Sequence, residues 1–566
     1  MSGYNILYGI GQQVWNKFFM FEDNQKRHRL LFLTVNCSFS HSSLALPLLH
    51  SACRDLADWE WLRYDLTNDG DILGAVRDIT NCDCDLLLTD LYLFNRVTAL
   101  EILQRVHTLK PECRIAVGGP ECLGEGAVEL LQQYPWLDRV FRGEGEEIFR
   151  EYLEQFDSNA EDCDRIVPVN GNAVYEAWAS SPYPVEDPFF VTDKPFVQIE
   201  TSRGCPMKCF YCTSGGTKTR YRSLEQVKEE LQLLQAKGIR EVRVLDRTFN
   251  LPQERGAAIL RLFREDFPEM RFHLELHPQF LNEALKDELR KALPGQLHIE
   301  VGIQCLDSRV QCLSGRNSDI NAALEGLKYL CSCSAFETHA DLLAGLPGQQ
   351  WSHILDDAGK LMQLELDEIQ LEVLKALPGT PLRRIACEHD LLYSCSTPYD
   401  VMQSSTMSME DFQMARDLSR LLDVCCNHKQ LHPAALVMSK ELDGFIGKLL
   451  DFFHQAGGSS QTVWDLKKRF LFLTDFCKAY KLTRSQNVLA FQWLLAGFLP
   501  AQGPDVYSVK AETIPEDAVL FSGNAECLGA RESRYWSFPA GEKVYYIAYN
   551  RSYFLNRPAA IWVKAL

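Results

Sequence analysis

The apolar positions fall into two rhythms. Short apolar runs at residues 29–36, 59–66, 85–92, 114–119 and 139–145 alternate with stretches where apolar residues recur every three or four positions, as at Leu100, Leu103, Val106 and Leu109. The first rhythm is that of buried strands and the second that of amphipathic helices. Their alternation predicts a parallel sheet with helices on both faces. The pattern lapses between residues 157 and 194, where Asp, Asn, Ser and Pro dominate, so a connector is expected there. It resumes with strand-like runs at 196–201, 241–246, 272–277, 297–304, 339–345 and 368–376. Six such strands with helices between them suit a full or partial parallel barrel, in which chemistry gathers at the carboxyl ends of the strands. From about residue 399 the spacing is helical, and after Pro504 short aromatic segments such as 544–548 and 560–563 read as a β tail. The expected architecture is α/β. It comprises an extension over residues 1–28, a doubly wound flavodoxin-like domain over 29–156 and a linker over 157–194. A partial (β/α)6 barrel over 195–398 and a mainly helical C-terminal domain over 399–566 follow.

Composition narrows the class. With 46% hydrophobic and 24% charged residues in 566, the chain reads as ordinary globular protein. No apolar stretch reaches the ~18 residues of a membrane span. The first 28 residues lack the basic-then-apolar order of a secretory signal, so a cytoplasmic location is expected. A net charge of −18 argues against broad nucleic-acid binding, which draws its affinity from clustered Lys and Arg. Twenty cysteines over this length are too sparse for a disulfide scaffold and read as metal ligands or core thiols. The pairs Cys82/Cys84, Cys331/Cys333 and Cys425/Cys426 do not repeat a CxxC spacing and are expected in the core.

Residues 202–214, SRGCPMKCFYCTS, place Cys205, Cys209 and Cys212 on one loop between a strand and a helix, with three and then two intervening residues. Soft thiolates so spaced suit an iron-sulfur cube or zinc. A closed zinc site wants four ligands, yet Cys163 and Cys305, the flanking cysteines, are remote in sequence. Three thiolates would leave one iron of a 4Fe-4S cube open. The helix after the loop is marked by a capping box at Ser223 and Gln226, with Gly238 at its far end.

This CxxxCxxC loop, with the aromatic Tyr211 before its third cysteine, resembles the radical S-adenosylmethionine superfamily over about residues 196–381. Gly302-Ile-Gln304, Gly345-Leu-Pro-Gly348 and Leu377-Pro-Gly-Thr-Pro381 resemble, in order, the ends of its fourth, fifth and sixth strands. The resemblance implies a 4Fe-4S cluster on the three cysteines, S-adenosylmethionine as second cofactor, and an external electron donor of the flavodoxin or ferredoxin kind. It places the backbone of Tyr211 beside the adenine and Gln304 near the ribose. Where many members carry Gly-Gly-Glu after the second strand, this chain has Leu245-Asp-Arg-Thr-Phe-Asn250, making Asp246 the candidate replacement. Glu275 on the third strand is a further candidate for a cofactor contact, against simple pairing with a barrel arginine. His273 and His277 share its alternation.

In the first domain, Gly118-Gly-Pro-Glu121 and Gly143-Glu-Gly-Glu146 end strands at the carboxyl edge, where doubly wound folds bind ligands. They resemble the cobalamin-binding-like domain fused to one class of radical enzymes. Gly118, Gly119, Gly143 and Gly145 are accordingly candidates for contact with cobalamin, although turns need glycine anyway. The histidine-bearing stretch expected after the first strand is replaced by Asn36-Cys-Ser-Phe-Ser-His41, so His41 is the candidate axial ligand, against an ordinary loop histidine. The whole arrangement looks closest to a bacterial subgroup with a helical C-terminal domain of uncharacterised role. The reading is an enzyme generating a 5′-deoxyadenosyl radical on an unidentified small-molecule or peptide substrate. With cobalamin, methyl transfer to an unactivated carbon is expected; without it, rearrangement or oxidation. Two alternatives stand beside it: a metal-stabilised scaffold without cofactor cleavage, and an RNA-modifying radical enzyme.

Overall fold

The computed structural model describes residues 28–158, 164–496, 498, 509–511, 513–523, 533–540, 543–550 and 560–565; residues 1–27, the bulk of the expected extension, lie outside these. Five strands, β1 (His28–Asn36), β2 (Trp59–Thr67), β3 (Leu86–Asp90), β4 (Arg114–Gly118) and β5 (Arg139–Phe141), lie parallel in the order β2-β1-β3-β4-β5. This is the flavodoxin-like order expected of a doubly wound sheet. The strands are apolar almost throughout because both faces are covered. Helices Ile72–Asn81, Arg96–Leu109 and Gly126–Gln133 contribute Ile79, Leu103 and Leu130 to one apolar layer. Helices Ala45–Cys53 and Glu146–Glu154 contribute Leu46 and Phe149 to the other. One strand lies where a connector was expected: β6 (Ile166–Val167) pairs parallel with β5. Two residues followed by Pro168 are too few to show a period.

The second run begins with β7 (Val197–Ile199). An antiparallel ribbon of β8 (Ser202–Cys205) and β9 (Thr217–Tyr221) then interrupts it, a departure from the direct strand-to-helix passage expected at the cysteines. The parallel strands continue with β10 (Glu241–Val244), β11 (Arg271–Leu276), β12 (Leu297–Gln304), β13 (Glu337–Ala344) and β14 (Glu368–Val373). With β7 they form one sheet in sequence order, a partial (β/α)6 barrel whose edges β7 and β14 do not meet. Each strand alternates. Val242, Leu274, Val301 and Leu342 are buried beneath the helices, while Arg243, His273, Glu275, Glu300 and Asp341 occupy the other, half-buried face. Helix Leu224–Ala236 starts at the anticipated capping box, with Ser223 Oγ accepting from the Gln226 backbone N–H and the Gln226 side-chain Oε1 accepting from the Ser223 N–H.

A short pair, β15 (Leu392–Tyr393) and β16 (Val401–Gln403), leads into helices Met409–Leu421, His432–Glu441, Phe445–Gln455, Leu466–Tyr480 and Thr483–Leu495. Their apolar faces join the barrel helices in one continuous core that includes Leu361, Phe412, Leu449 and Trp493. At the outer edge of β14, the Asn427 carboxamide accepts from Ile369 N–H at 3.1 Å and donates to Ile369 C=O at 2.9 Å, standing in for a neighbouring strand. The tail is more extensive than short aromatic segments suggest. Strands β17 (Val509–Ala511), β18 (Val519–Gly523), β19 (Ser533–Ala540), β20 (Lys543–Asn550) and β21 (Ala560–Ala565) form one antiparallel sheet in the order β17-β19-β20-β21-β18. Among the described residues no helix is long and apolar enough to cross a membrane.

Candidate functional site

The cysteine loop is a tightly wound turn at the tip of the β8–β9 ribbon. Cys212 N–H donates to Cys209 C=O at 3.2 Å, Gly215 N–H to Cys212 C=O at 3.2 Å, and Gly216 N–H to Met207 C=O at 2.6 Å. A Cβ on Gly215 would lie 2.6 Å from the Cys209 carbonyl oxygen, so the winding requires glycine there. The loop is braced from two barrel ends. Phe210 N–H donates to Ser314 C=O, Leu382 N–H donates to Phe210 C=O, and the Phe210 ring fills the space a Cβ on Gly315 would need.

Cys205 and Cys209 are buried and Cys212 is half-buried. Cys205 Sγ lies 3.4 Å from Thr248 Oγ1, and an Arg316 amino group lies 3.7 Å from Cys209 Sγ. Burial pushes the Cys212 thiol up, against the pull of the Ser214 backbone and the Arg247 guanidinium. The Tyr211 hydroxyl is enclosed near Cys209 and Arg316, where its burial raises its pKa, and it finds no hydrogen-bond partner of good geometry. Among the described residues no three His, Cys, Asp or Glu side chains converge on a single-ion centre. Three soft donors on one braced loop, with guanidinium groups nearby, fit an anionic iron-sulfur group.

Beside the ribbon opens a cavity of about 570 Å³, within the range of small-molecule sites. Its walls are the carboxyl ends of two sheets. From the first come Asn36, His41, Ser43, Asp90 and all four expected glycines, Gly118, Gly119, Gly143 and Gly145; from the barrel come Gln198, Glu200, Leu245 and Arg247. Thr213 and Ser214, directly after Cys212, complete it. The glycines differ in what demands them. Gly119 and Gly143 have φ of +96° and +99°, and a Cβ there would strike the backbone of Leu91 or Ala173 at 2.8 Å or 2.4 Å. A Cβ on Gly118 would meet only Phe141, at 3.7 Å, so no internal contact requires glycine. On Gly145 it would press Leu49 at 3.1 Å.

The remaining expected residues separate. Asp246 is fully enclosed: Oδ1 accepts from the N–H groups of Thr201 and Ser202 at 2.7 and 2.8 Å, and Oδ2 accepts from Thr201 Oγ1 at 2.5 Å. Its carboxylate fixes the turn entering the ribbon and is already engaged. Glu275 lies 3.8 Å from Arg247, and burial raises its carboxyl to about 7 despite that guanidinium. Gln304 sits at a β-bulge with φ of +67°, its side chain folded over Gly302. Non-glycine residues in this region are strained and cluster at functional sites. His41 borders the cavity, with Nδ1 2.8 Å from Ser38 Oγ and its pKa lowered by burial and by Arg243. His277 is buried near Ser318, its pKa pushed down to about 3 by burial.

Several residues escaped sequence reasoning. Arg203 on β8 pairs with Glu146 at 2.7 Å, Glu200 at 2.8 Å and Glu144 at 3.3 Å, and Arg220 on β9 also pairs with Glu144. The acidic residues of Gly143-Glu-Gly-Glu146 thus clamp the ribbon against the first sheet. Arg247 stands between the cysteine loop and the barrel wall, under the influence of Glu275, Cys212 and Glu200. On that wall His273, marked in the sequence by its alternation, has Nε2 3.0 Å from Glu300, and His339, which was not, has Nε2 3.0 Å from Asp341. Only the alternation of polar residues along β11, β12 and β13 hinted at this row.

Comparison with known proteins is consistent with this geometry. Residues 199–361 match the radical SAM superfamily, and residues 387–506 match a family described as a protein of unknown function, DUF4080. An uncharacterized methyltransferase of Pyrococcus horikoshii is 24% identical over 371 residues, covering 60% of this chain and 79% of its own length. The radical S-adenosylmethionine methyltransferase TsrM of Kitasatospora setae, solved with cobalamin and a [4Fe-4S] cluster bound, aligns with a TM-score of 0.53 at 18% identity. That alignment covers 66% of this chain and 80% of TsrM. The cobalamin-dependent S-adenosylmethionine radical enzyme OxsB, solved with aqua-cobalamin and S-adenosylmethionine, aligns with a TM-score of 0.55 at 13% identity, covering 82% and 78%.

Proposed function

We propose that this chain, a radical S-adenosylmethionine enzyme by its matched domain, is a cobalamin-dependent methyltransferase acting on an unactivated carbon of a small organic substrate. One observation carries the reading: a single cavity touches the carboxyl edges of both parallel sheets and the flank of the cysteine loop. A group held by the first sheet and chemistry begun at the loop would meet there.

Cys205, Cys209 and Cys212 would hold a 4Fe-4S cluster, S-adenosylmethionine would occupy its open iron, and a corrinoid would lie against Gly118 and the cavity wall. When bound, the cluster supplies the electron that splits the sulfonium, and the corrinoid supplies a transferable methyl group. The chain's own residues position and shield. Arg247 and Glu275 present a guanidinium and a carboxyl side by side, complementary to the carboxylate and ammonium of a methionine moiety. Asp246 and the clamp of Arg203 and Arg220 on Glu144 and Glu146 set the ribbon's orientation. The Phe210 ring packs against Gly315 and the Arg316 guanidinium lies 3.7 Å from Cys209 Sγ, seating the loop on the barrel. His273 holds Glu300 at 3.0 Å and His339 holds Asp341 at 3.0 Å; the bond from His273 lowers the Glu300 carboxyl, while burial raises that of Asp341. These groups can hold a proton or pass one to a substrate within the barrel.

An electron donor of the flavodoxin or ferredoxin kind and a cytoplasmic setting complete the proposal. The decisive experiment is anaerobic reconstitution with iron, sulfide and hydroxocobalamin, followed by electron-spin and optical spectroscopy and assay of reduced protein with S-adenosylmethionine. Expected are about four iron atoms per chain, a retained corrinoid absorption band, and cleavage of S-adenosylmethionine. A fully loaded cluster with no corrinoid retained overturns methyl transfer by this route.

A further inference from the structure

The cavity contains a polar atom that the protein leaves without a partner. Asp90 ends β3 at the carboxyl edge, 5% exposed. Its Oδ2 accepts from Ser43 Oγ at 2.6 Å, whereas Oδ1 is buried with no hydrogen bond. The surroundings are tied by hydrogen bonds. Ser43 Oγ also accepts from Ala45 N–H at 3.1 Å, at the start of the following helix. Asn95 donates to the carbonyls of Asp90 and Val35 at 3.0 and 3.2 Å and accepts from Tyr92 N–H at 2.7 Å. Asp90, Ser43, Tyr92 and Asn95 all border the cavity, next to Gly118. A buried carboxylate oxygen left unpaired is costly. The other carboxylates at this end, Glu144 and Glu146, are paired with arginines, which makes Asp90 the exception.

We propose that Asp90 is a recognition residue for the corrinoid, with Oδ1 accepting a hydrogen bond from a primary carboxamide N–H on the corrin rim while Ser43 holds Oδ2. The inference rests on the corrinoid reading above and extends it to a named contact. A carboxamide suits the site because it donates without bringing a charge that would need its own counter-ion. Burial, opposed by Ser43, raises the Asp90 carboxyl to about 6. A donated hydrogen bond favours the ionised form, so corrinoid affinity should weaken as pH falls below about 6. The other groups that bear on Asp90 are Asp65 on β2 and the Tyr92 hydroxyl. His41, Glu200 and Arg247 share the cavity.

The test is an absorbance titration of the iron-loaded chain with hydroxocobalamin between pH 5.5 and 8. It compares wild type with Asp90→Asn, which keeps an acceptor, and Asp90→Leu, which does not, each checked for cluster content and melting temperature. Expected are affinity at least about tenfold weaker for Asp90→Leu at pH 7.5, near-native affinity for Asp90→Asn, and loss of the step near pH 6 in both variants. Asp90→Leu binding as tightly as wild type, with a normal cluster and melting temperature, overturns the Asp90 contact alone. Failure of the wild-type protein to bind hydroxocobalamin overturns the corrinoid reading and this contact with it.

Discussion

Gly118 and Gly119 are adjacent and serve different ends. Gly119 adopts a left-handed conformation against the Leu91 backbone, so Gly119→Ala should cost roughly 1–3 kcal/mol, read as a lowered melting temperature. Gly118→Val should leave stability nearly unchanged and weaken uptake of hydroxocobalamin several-fold; unchanged uptake would show that the wall at Gly118 is not approached by the ligand. A sequence marks both as glycine and cannot tell these reasons apart. Asp90 was missed for a related cause. It reads as the polar end of an apolar strand, and only packing shows one oxygen paired and the other orphaned.

Glu230 allows an independent check on buried charge. It is enclosed on helix Leu224–Ala236, and burial raises its carboxyl from 4.5 to about 7 despite Arg222. The unfolded chain ionises it first, so the native state loses stability as pH rises from about 4.5 to 7. Glu230→Gln should remove that slope and raise stability at pH 8 by up to on the order of 3 kcal/mol, measured by denaturant titration at several pH values.

At the scale of elements, the ribbon β8–β9 is the piece periodicity could not supply. Its four- and five-residue strands flank a cysteine turn and are polar, because they pack against a domain interface rather than a core. The parallel strands, by contrast, were legible to within a few residues, since burial on one or both faces writes a clear apolar signature. The ribbon is held mainly by charge. Arg203→Ala would strand the buried Glu146 and leave Glu144 to Arg220 alone, at a cost of about 3 kcal/mol, seen as a lower melting temperature and faster loss of iron from the reconstituted protein. Retention of both at wild-type levels would argue that Arg220 alone is sufficient.

At the scale of the molecule, three thiols from one loop must act together. Replacing Cys205, Cys209 or Cys212 singly by Ala should leave the fold intact by circular dichroism while abolishing cluster-derived absorbance and cleavage of S-adenosylmethionine. Preserved turnover in any of the three would contradict the proposed ligand set. The α/β layout was readable from alternation alone. The seating of the two sheets around one cavity was not, because it depends on ion pairs and glycine contacts between residues far apart in sequence, such as Gly124 against Gly379.

The carboxamide of Asn427 on the rim of β14 carries a consequence for assembly. An uncapped rim of a parallel sheet offers ready-made pairing to any extended chain, including another copy of itself. Asn427 occupies the Ile369 backbone with a side chain that cannot propagate a ladder, so that position of the rim is closed to pairing. A chain ending at residue 398 should therefore self-associate in light-scattering measurements, beyond what its newly bared apolar helices cause. Asn427→Leu in the full chain should show the milder form of the same tendency.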